Sequence, residues 1–279
     1  MECKFMNIIP KNTLQFWFTR IGSSSNFNVI DIQNGTKCCT LSEGEMKMDH
    51  KIFQNFEIYK NRPEYQLGKV MHFLESSDEN VRSNAQKIVQ QYDTLIAACI
   101  LESNYDEDIA VKQINNCLEW LHSTDFYDAP ASTKYHEKFQ GGLMLHSLRV
   151  VNMVYDIIRT NVFKGIPLYQ AVLTALVHDW CKIGLYKPYQ RNVKDPNTGN
   201  WYQEIAYQYN EMEIPLGHGA TSLFLAQRFF TLTVEQACAI RWHMEAYNVC
   251  ESEKPDLYTA NTKYRMVQLI QMCDKLSLL

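Results

Sequence analysis

The sequence predicts a mainly α-helical protein that carries a small β element near its amino end. From about residue 63 onward, apolar residues recur at three- and four-residue steps, which is the period of amphipathic helices. Before that point, runs of aromatic and β-branched residues flank the pair Asn34-Gly35. This pair is the strongest short hairpin signal, because both central residues of a type I′ turn need a positive φ. We therefore expect a helical bundle with a helical extension and a β-hairpin or three-stranded element.

Residues 1–62 are predicted as a separate segment with β structure, with strands over 13–21, 27–32 and 36–41. Such a segment can cover a substrate site, contact another subunit or form a degenerate nucleic-acid-binding barrel. The sequence favours a plainer interpretation, an appendage that packs against the rest of the chain. The cluster Phe16-Trp17-Phe18 is the one feature that favours single-strand binding. Alternation along a strand predicts that at least half of this cluster is buried.

Helices are predicted throughout the rest of the chain. Residues 63–124 form the helical extension, with helices over 65–75, 79–101 and 106–122. The remaining domain, residues 125–279, has five predicted helices, which cover 143–159, 168–181, 218–230, 234–247 and 262–279. The stretch 183–214 contains two prolines and an Asn-Thr-Gly-Asn turn signal. It is therefore predicted as a long insertion, either a loop or a short hairpin.

Charge and cysteine content restrict the class of protein. The formal net charge of -4 gives no basic footprint, so no long nucleic acid is expected as a partner. Nine cysteines are scattered without a CxxC pair, which favours reduced thiols over disulfides or a zinc knuckle. The chain has neither a signal peptide nor a run of about eighteen apolar residues that could span a membrane. We therefore predict a cytoplasmic protein.

Histidines and aspartates recur on successive predicted helices of the C-terminal domain. A lone histidine on an apolar helix is usually structural, but a carboxylate buried among apolar residues needs a cationic partner. Several ionisable residues on successive apolar helices therefore predict that these residues share a bound cation. Imidazole and carboxylate together suit Mn²⁺, Fe²⁺, Co²⁺, Ni²⁺ or Zn²⁺, and Mg²⁺ if waters complete the shell. The candidate ligands are His146, His178, Asp179, His218, His243 and Asp274.

This arrangement resembles the HD superfamily of metal-dependent phosphohydrolases over residues 125–274. The stretches APASTKYH, GGLMLHS, HDWCK, GHGATS and AIRWH are similar to HD hydrolases of bacteriophages and their Firmicute hosts. The resemblance implies an HD-type helical bundle with one or two divalent metals. The ligands of one metal would be His146, His178, Asp179 and Asp274. The resemblance also implies that His218 and His243 mark a second metal, with Asp179 as the bridge.

The resemblance further implies hydrolysis of a phosphoester in a nucleotide or short oligonucleotide by metal-activated water. Asp179 and Lys182 are the expected catalytic residues, with Lys182 binding a phosphate oxygen as a point charge. The alternative for Lys182 is a solvated lysine at a helix end, stabilised by the helix dipole. The insertion is either a binding element or merely a solvated loop. Candidate substrate contacts are Lys134, His136, Tyr186, Lys187, Arg191 and Arg241.

The sequence leaves two other functions open. A helical module could keep the metal pocket to sense a nucleotide without turnover, although retention of every ligand and of Lys182 speaks against this. A nuclease of the 3′–5′ exonuclease kind, acting on single strands, is the other alternative. The metal ligands alone do not separate monoesterase, diesterase and dNTPase activities. A homo-oligomer also stays open.

Overall fold

The computed structural model describes residues 16–20, 26–31, 37–42, 79–103, 106–211, 214–247 and 249–278. Eight α-helices and two small antiparallel sheets lie in these ranges, which confirms the prediction of a mainly α fold. The predicted helix over 65–75 lies outside the described residues. None of the described helices is both long enough and apolar enough to cross a membrane.

The amino-terminal β element has three strands. β1 (Phe16–Arg20), β2 (Asn26–Asp31) and β3 (Lys37–Ser42) form an antiparallel sheet in that order. Asn34 and Gly35 fall between β2 and β3 in the sequence, at the position where the hairpin signal predicted a reversal. The three-stranded alternative of the prediction is therefore the observed one.

The first helix packs against both the second and the fourth. α1 (Glu79–Ser103) and α2 (Glu107–Ser123) contribute apolar residues to one continuous hydrophobic core that also includes the later helices. The Tyr92 hydroxyl of α1 donates a hydrogen bond of 2.8 Å to the carbonyl oxygen of Leu176. The same hydroxyl oxygen accepts a hydrogen bond of 3.1 Å from the indole N–H of Trp180. These buried bonds attach α1 to the chain immediately before and after the predicted metal ligands His178 and Asp179.

Six helices form the rest of the bundle: α3 (Gly142–Arg159), α4 (Leu168–Val177), α5 (His218–Ala226), α6 (Val234–Trp242), α7 (Lys254–Lys263) and α8 (Arg265–Leu276). α3 packs against α4 and α8, and α8 also packs against α6. The side-chain amide of Gln271 on α8 donates a hydrogen bond of 2.8 Å to the carbonyl oxygen of Trp242, where α6 ends.

Several helix boundaries differ from the prediction. α4, α5 and α6 end four or five residues earlier than predicted, because the apolar period continues into turns that no longer have helical hydrogen bonding. The predicted helix over 262–279 begins only at Arg265, after a break at Tyr264. α7 was not predicted. Its only buried side chain is that of Ala260, so it has no apolar stripe to reveal it in the sequence.

The predicted insertion is a β-hairpin, which is one of the two forms expected for it. β4 (Tyr186–Lys194) and β5 (Trp201–Tyr209) pair antiparallel, with Tyr186 opposite Tyr209 and Lys194 opposite Trp201. In the turn between them, the Asp195 carboxylate accepts a hydrogen bond of 2.8 Å from the backbone N–H of Asn197. The base of the hairpin lies next to the residues that follow α4.

Candidate metal centre

The six predicted metal ligands converge on one point from five parts of the bundle. His146 lies on α3, and the pair His178-Asp179 follows directly after α4. His218 is the first residue of α5, His243 follows the last residue of α6, and Asp274 lies on α8. His146, His178, Asp179 and His243 are each 2% exposed or less. The structure therefore brings all six predicted ligands together, although His178, Asp179 and His243 lie just beyond the helices assigned to them.

One set of donor atoms surrounds His146. Its Nε2 lies 3.1 Å from Asp274 Oδ1, 3.3 Å from Asp179 Oδ2 and 3.3 Å from His178 Nε2. When two ligand atoms bind one metal ion at about 2.1 Å, an octahedral or tetrahedral angle at the ion places them roughly 3.0–3.4 Å apart. The distances from His146 to the other three side chains therefore fit a divalent cation bound beside it.

A second set of donor atoms surrounds the other oxygen of Asp179. Oδ1 lies 2.8 Å from His218 Nε2 and 3.5 Å from His243 Nε2. The potential ligand atoms of His146, His178 and Asp179 lie within 4.8 Å of one another, and so do those of Asp179, His218 and His243. Asp274 forms a third such group with His178 and His243. The two oxygens of Asp179 thus face different histidine pairs, which is the arrangement of a carboxylate that can bridge two cations.

The tautomers of His178 and His243 are fixed by the backbone. Nδ1 of His178 lies 2.7 Å from the carbonyl oxygen of Ala175, and Nδ1 of His243 lies 2.8 Å from that of Ile240. A carbonyl oxygen can only accept, so each Nδ1 carries the proton and donates it. In the neutral ring, Nε2 then directs a lone pair into the cluster, where the Asp179 carboxylate also offers only lone pairs. Acceptors that face acceptors in a buried site need a cation between them.

The unpaired atoms of the cluster support the same conclusion. Nε2 of His243 is buried and has no hydrogen-bond partner. A buried polar atom without a partner costs about 1–3 kcal/mol, so a native site rarely leaves one unsatisfied. A metal bond would satisfy this nitrogen. The buried histidines and aspartates can hold a metal ion, as predicted.

Neighbouring charges set the protonation of the metal-free cluster. Burial disfavours the charged form of His146, but its hydrogen bonds to Asp179 and Asp274 outweigh this and raise its pKa to about 9. Burial lowers the pKa of His178 to about 4. Burial also works against the ionised form of Asp179, but the Lys182 ammonium and the nearby histidines hold the pKa of this carboxyl well below its usual range. Both aspartates are therefore anionic near neutral pH, since the pKa of Asp274 is lowered by His146 despite burial.

Lys182 belongs to the site. It lies in a short 3-10 helix, Trp180–Lys182, rather than on the helix predicted to continue from α4. Its Nζ is 2.5 Å from Asp179 Oδ2, and the residue is only 7% exposed. This burial excludes the alternative of a solvated lysine at a helix end. Burial opposes its charge, but the contact with Asp179 prevails and raises the pKa of Lys182.

Two glycines permit the close approaches that assemble the cluster. A Cβ on Gly219 would lie 2.1 Å from the carbonyl oxygen of Arg241, so only glycine lets the start of α5 touch the end of α6. This contact sets the His218 ring 5.1 Å from the His243 ring. A Cβ on Gly142 would likewise lie 2.1 Å from the carbonyl oxygen of Glu137. Glycine at this position therefore lets the backbone of Glu137 pack against the start of α3.

Glu137 is a residue of the site that the sequence analysis missed. Its Oε2 lies 3.8 Å from Nδ1 of His146, and its other oxygen pairs with Arg149 at 2.5 Å. Glu137, His136 and His146 form a further group of closely spaced potential ligands. Glu137 is 6% exposed and has a positive φ of 38°. Its position directly beside His136 was the only available signal, because an acidic residue between helices is normally solvated.

The cluster lies at the wall of a cavity of about 940 Å³. Of the predicted substrate contacts, His136 and Tyr186 line this cavity. Burial lowers the pKa of His136 to about 4, and the nearby His146 and Lys182 charges act in the same direction. Four tyrosines contribute to the cavity wall, namely Tyr135, Tyr186, Tyr209 and Tyr247.

The other four predicted substrate contacts do not line the cavity. Arg191 pairs with Glu204 across the hairpin. Arg241 pairs with Glu253 at 2.5 Å and stacks on Trp242 at 4.0 Å from the ring centre. Lys134 and Lys187 are exposed. Lys187 follows Tyr186 along β4, and successive side chains of a strand point to opposite faces.

Comparison of the chain with family models, with curated proteins and with solved structures finds no match.

Proposed function

We propose that this protein is a metal-dependent phosphohydrolase that cleaves a phosphoester of a nucleotide or short oligonucleotide. The observation that carries the proposal is the inward-facing acceptor cluster on a large cavity. His178 and His243 direct lone pairs toward the carboxylate of Asp179, and the nitrogen of His243 has no other partner. An anionic, imidazole-rich pocket that opens to a cavity suits metal-assisted hydrolysis better than a structural metal site, which is normally closed.

We propose two metals in the cluster. His146, His178 and Asp274 would hold one metal, His218 and His243 the other, and Asp179 would bridge them. The proposal rests on the opposite orientation of the two Asp179 oxygens. The mixture of imidazole and carboxylate favours Mn²⁺, Fe²⁺, Co²⁺, Ni²⁺ or Zn²⁺, with Mg²⁺ as the harder alternative. Bound divalent ions supply an acidified water and neutralise charge on a phosphoryl oxygen.

The protein's own groups have separate tasks in this proposal. The backbone carbonyls of Ala175 and Ile240 hold His178 and His243 in the tautomer that presents Nε2 to a ligand. Lys182 keeps Asp179 ionised and, because it also lines the cavity, can bind a non-bridging phosphate oxygen. Glu137 lies behind His146, with its Oε2 3.8 Å from Nδ1, and the negative charge of the carboxylate would favour a proton on that nitrogen, which leaves Nε2 free.

Hydrolysis of bis-p-nitrophenyl phosphate and p-nitrophenyl phosphate by Mn²⁺-loaded protein tests the proposal. We expect turnover of one or both compounds, and complete loss of it in Asp179→Ala. Asp156→Ala is the matched control, because Asp156 is an exposed aspartate on α3 and should be dispensable. If metal-loaded protein also fails on dNTPs, nucleoside monophosphates, cyclic nucleotides and short oligonucleotides, it is not a hydrolase, and a nucleotide-sensing module becomes the better interpretation.

A further inference from the structure

Tyrosine side chains surround the mouth of the cavity. Tyr135 is 84% exposed, Tyr209 67% and Tyr247 68%, and all three line the cavity that the metal cluster faces. Tyr186 completes the set, and its ring centre lies 5.3 Å from that of Tyr209. Exposed phenol rings at a cavity mouth provide flat apolar surfaces with hydroxyl groups that stay hydrated.

This aromatic surface continues along one face of the β4–β5 hairpin. Tyr186 pairs with Tyr209, and side chains that lie opposite each other in an antiparallel pair share a face. The same face therefore carries the alternate residues of β5 beyond Tyr209, namely Tyr207, Ile205, Gln203 and Trp201. Alternate residues of a strand are about 6.7 Å apart, so the surface extends for about 27 Å from the cavity.

The outer part of this face is open to solvent. Ile205 is 61% exposed and Trp201 69%. Among the described residues, the main contacts of β4 and β5 are with each other rather than with a helix. Large apolar side chains that remain uncovered in a row commonly mark a binding surface.

The polar residues of the face indicate the chemistry of its ligand. The residues of β4 on this face are Tyr186, Pro188, Gln190, Asn192 and Lys194. The face therefore combines aromatic rings, side-chain amides and one lysine, and it has no carboxylate. The only acidic residue of the two strands, Glu204, lies on the opposite face, where it pairs with Arg191. Stacking rings beside a cationic group, on strands whose one carboxylate faces the other way, suit the bases and phosphates of a single-stranded nucleic acid.

We propose that the hairpin face and the tyrosine-lined mouth bind consecutive bases of an unpaired nucleotide chain. The inference rests on the proposed function, since it places the phosphate to be cleaved at the metal cluster. It narrows the substrate class to single-stranded oligonucleotides, DNA or RNA, because a mononucleotide cannot reach both the cluster and Trp201. Stacking is tolerant of sequence, so recognition by this surface should depend on length and strandedness.

Binding of phosphorothioate oligothymidylates and oligouridylates of graded length tests this inference. We expect affinity to rise with length until the hairpin face is covered, and to be much weaker for a duplex. Loss of one stacked base contact should weaken binding on the order of tenfold in Trp201→Ala. Turnover of bis-p-nitrophenyl phosphate should not change in this variant. The two series of oligonucleotides distinguish DNA from RNA as the preferred strand.

Tyr258→Ala is the matched control, because Tyr258 is 72% exposed on α7 and does not line the cavity. Equal affinity of Trp201→Ala and Tyr258→Ala for the oligonucleotides would overturn the inference. So would sedimentation data in which Trp201→Ala converts a dimer to a monomer, since the face would then bind a second copy of this chain. Failure of bis-p-nitrophenyl phosphate hydrolysis by the parent protein counts against the proposed function instead, and it is read separately from binding.

Discussion

Replacement of Gly219 by alanine tests how the second half of the metal cluster is assembled. The added methyl group would lie 2.1 Å from the carbonyl oxygen of Arg241 and 2.7 Å from its carbonyl carbon. Both atoms belong to the backbone, so they cannot rotate away. To restore ordinary contact, the start of α5 must move away from the end of α6 by about 1 Å or more. His218, the adjacent residue, would then lose its 2.8 Å contact with Asp179.

Two opposing effects determine how much Gly219→Ala changes the free energy of unfolding. Alanine is better than glycine inside a helix by about 1 kcal/mol. Overpacking of a close contact costs about 1–3 kcal/mol. We therefore expect Gly219→Ala to lower the free energy of unfolding by up to about 2 kcal/mol, and to lose one of the two proposed metals while the set around His146 is retained.

The assay combines urea unfolding with metal analysis by mass spectrometry after dialysis against Mn²⁺. His218→Ala is the control, because it removes the same ligand without a steric clash, and so should lose metal with a smaller loss of stability. A Gly219→Ala protein that keeps its full metal content and is as stable as the parent would show that this contact does not position His218.

Three further predictions concern the charges of the site. The pKa of His146 is raised to about 9 in the metal-free protein, so its charged form stabilises the metal-free fold below about pH 6.5 and this contribution is lost as the pH rises through about 9. Metal binding at pH 7.5 should therefore release a proton, which calorimetry in buffers of different ionisation enthalpy will measure; an enthalpy independent of the buffer contradicts this. Lys182→Met should reduce turnover on the order of a hundredfold while metal stays bound, and equal turnover would remove Lys182 from the mechanism. Glu137→Gln should weaken metal affinity by about tenfold to a hundredfold, measured by competition with a chelating dye, and unchanged affinity would show that Glu137 does not orient His146.

The sequence was sufficient to identify the candidate metal ligands, because the cost of burying ionisable groups is visible in the pattern. His178 and Asp179 follow directly on an apolar helix, and Asp274 interrupts another apolar stretch. No favourable fold buries such groups without a partner. The Asn34-Gly35 pair and the Asn-Thr-Gly-Asn turn identified the two β elements for an equally local reason, since turn geometry restricts the residues that can occupy it.

The sequence could not supply features that depend on which way a side chain points. Tyr186 lines the cavity and its neighbour Lys187 does not, a difference of one position along a strand. Arg191 and Arg241 were predicted to contact substrate. In the structure Arg191 pairs with Glu204, which lies 13 residues further along the chain, and Arg241 pairs with Glu253, which lies 12 residues further. The tertiary fold alone decides these pairings.

Glu137 was missed for a related reason. Its burial depends on the chain reversing at Gly141 and Gly142, so that its carbonyl oxygen packs against the start of α3. In the sequence it resembles any solvated glutamate in a connector between helices. Helix α7 was not predicted for the opposite reason. It is almost entirely exposed, so its sequence carries no apolar pattern.

Equilibrium dialysis against Mn²⁺, followed by metal analysis, tests most directly whether acids and imidazoles from separate helices share divalent cations through one carboxylate. Such sharing predicts two Mn²⁺ per chain for the parent protein and none retained by Asp179→Ala, with the variant still folded by circular dichroism. A parent protein that binds no divalent metal, or a variant with the same metal content as the parent, would contradict it.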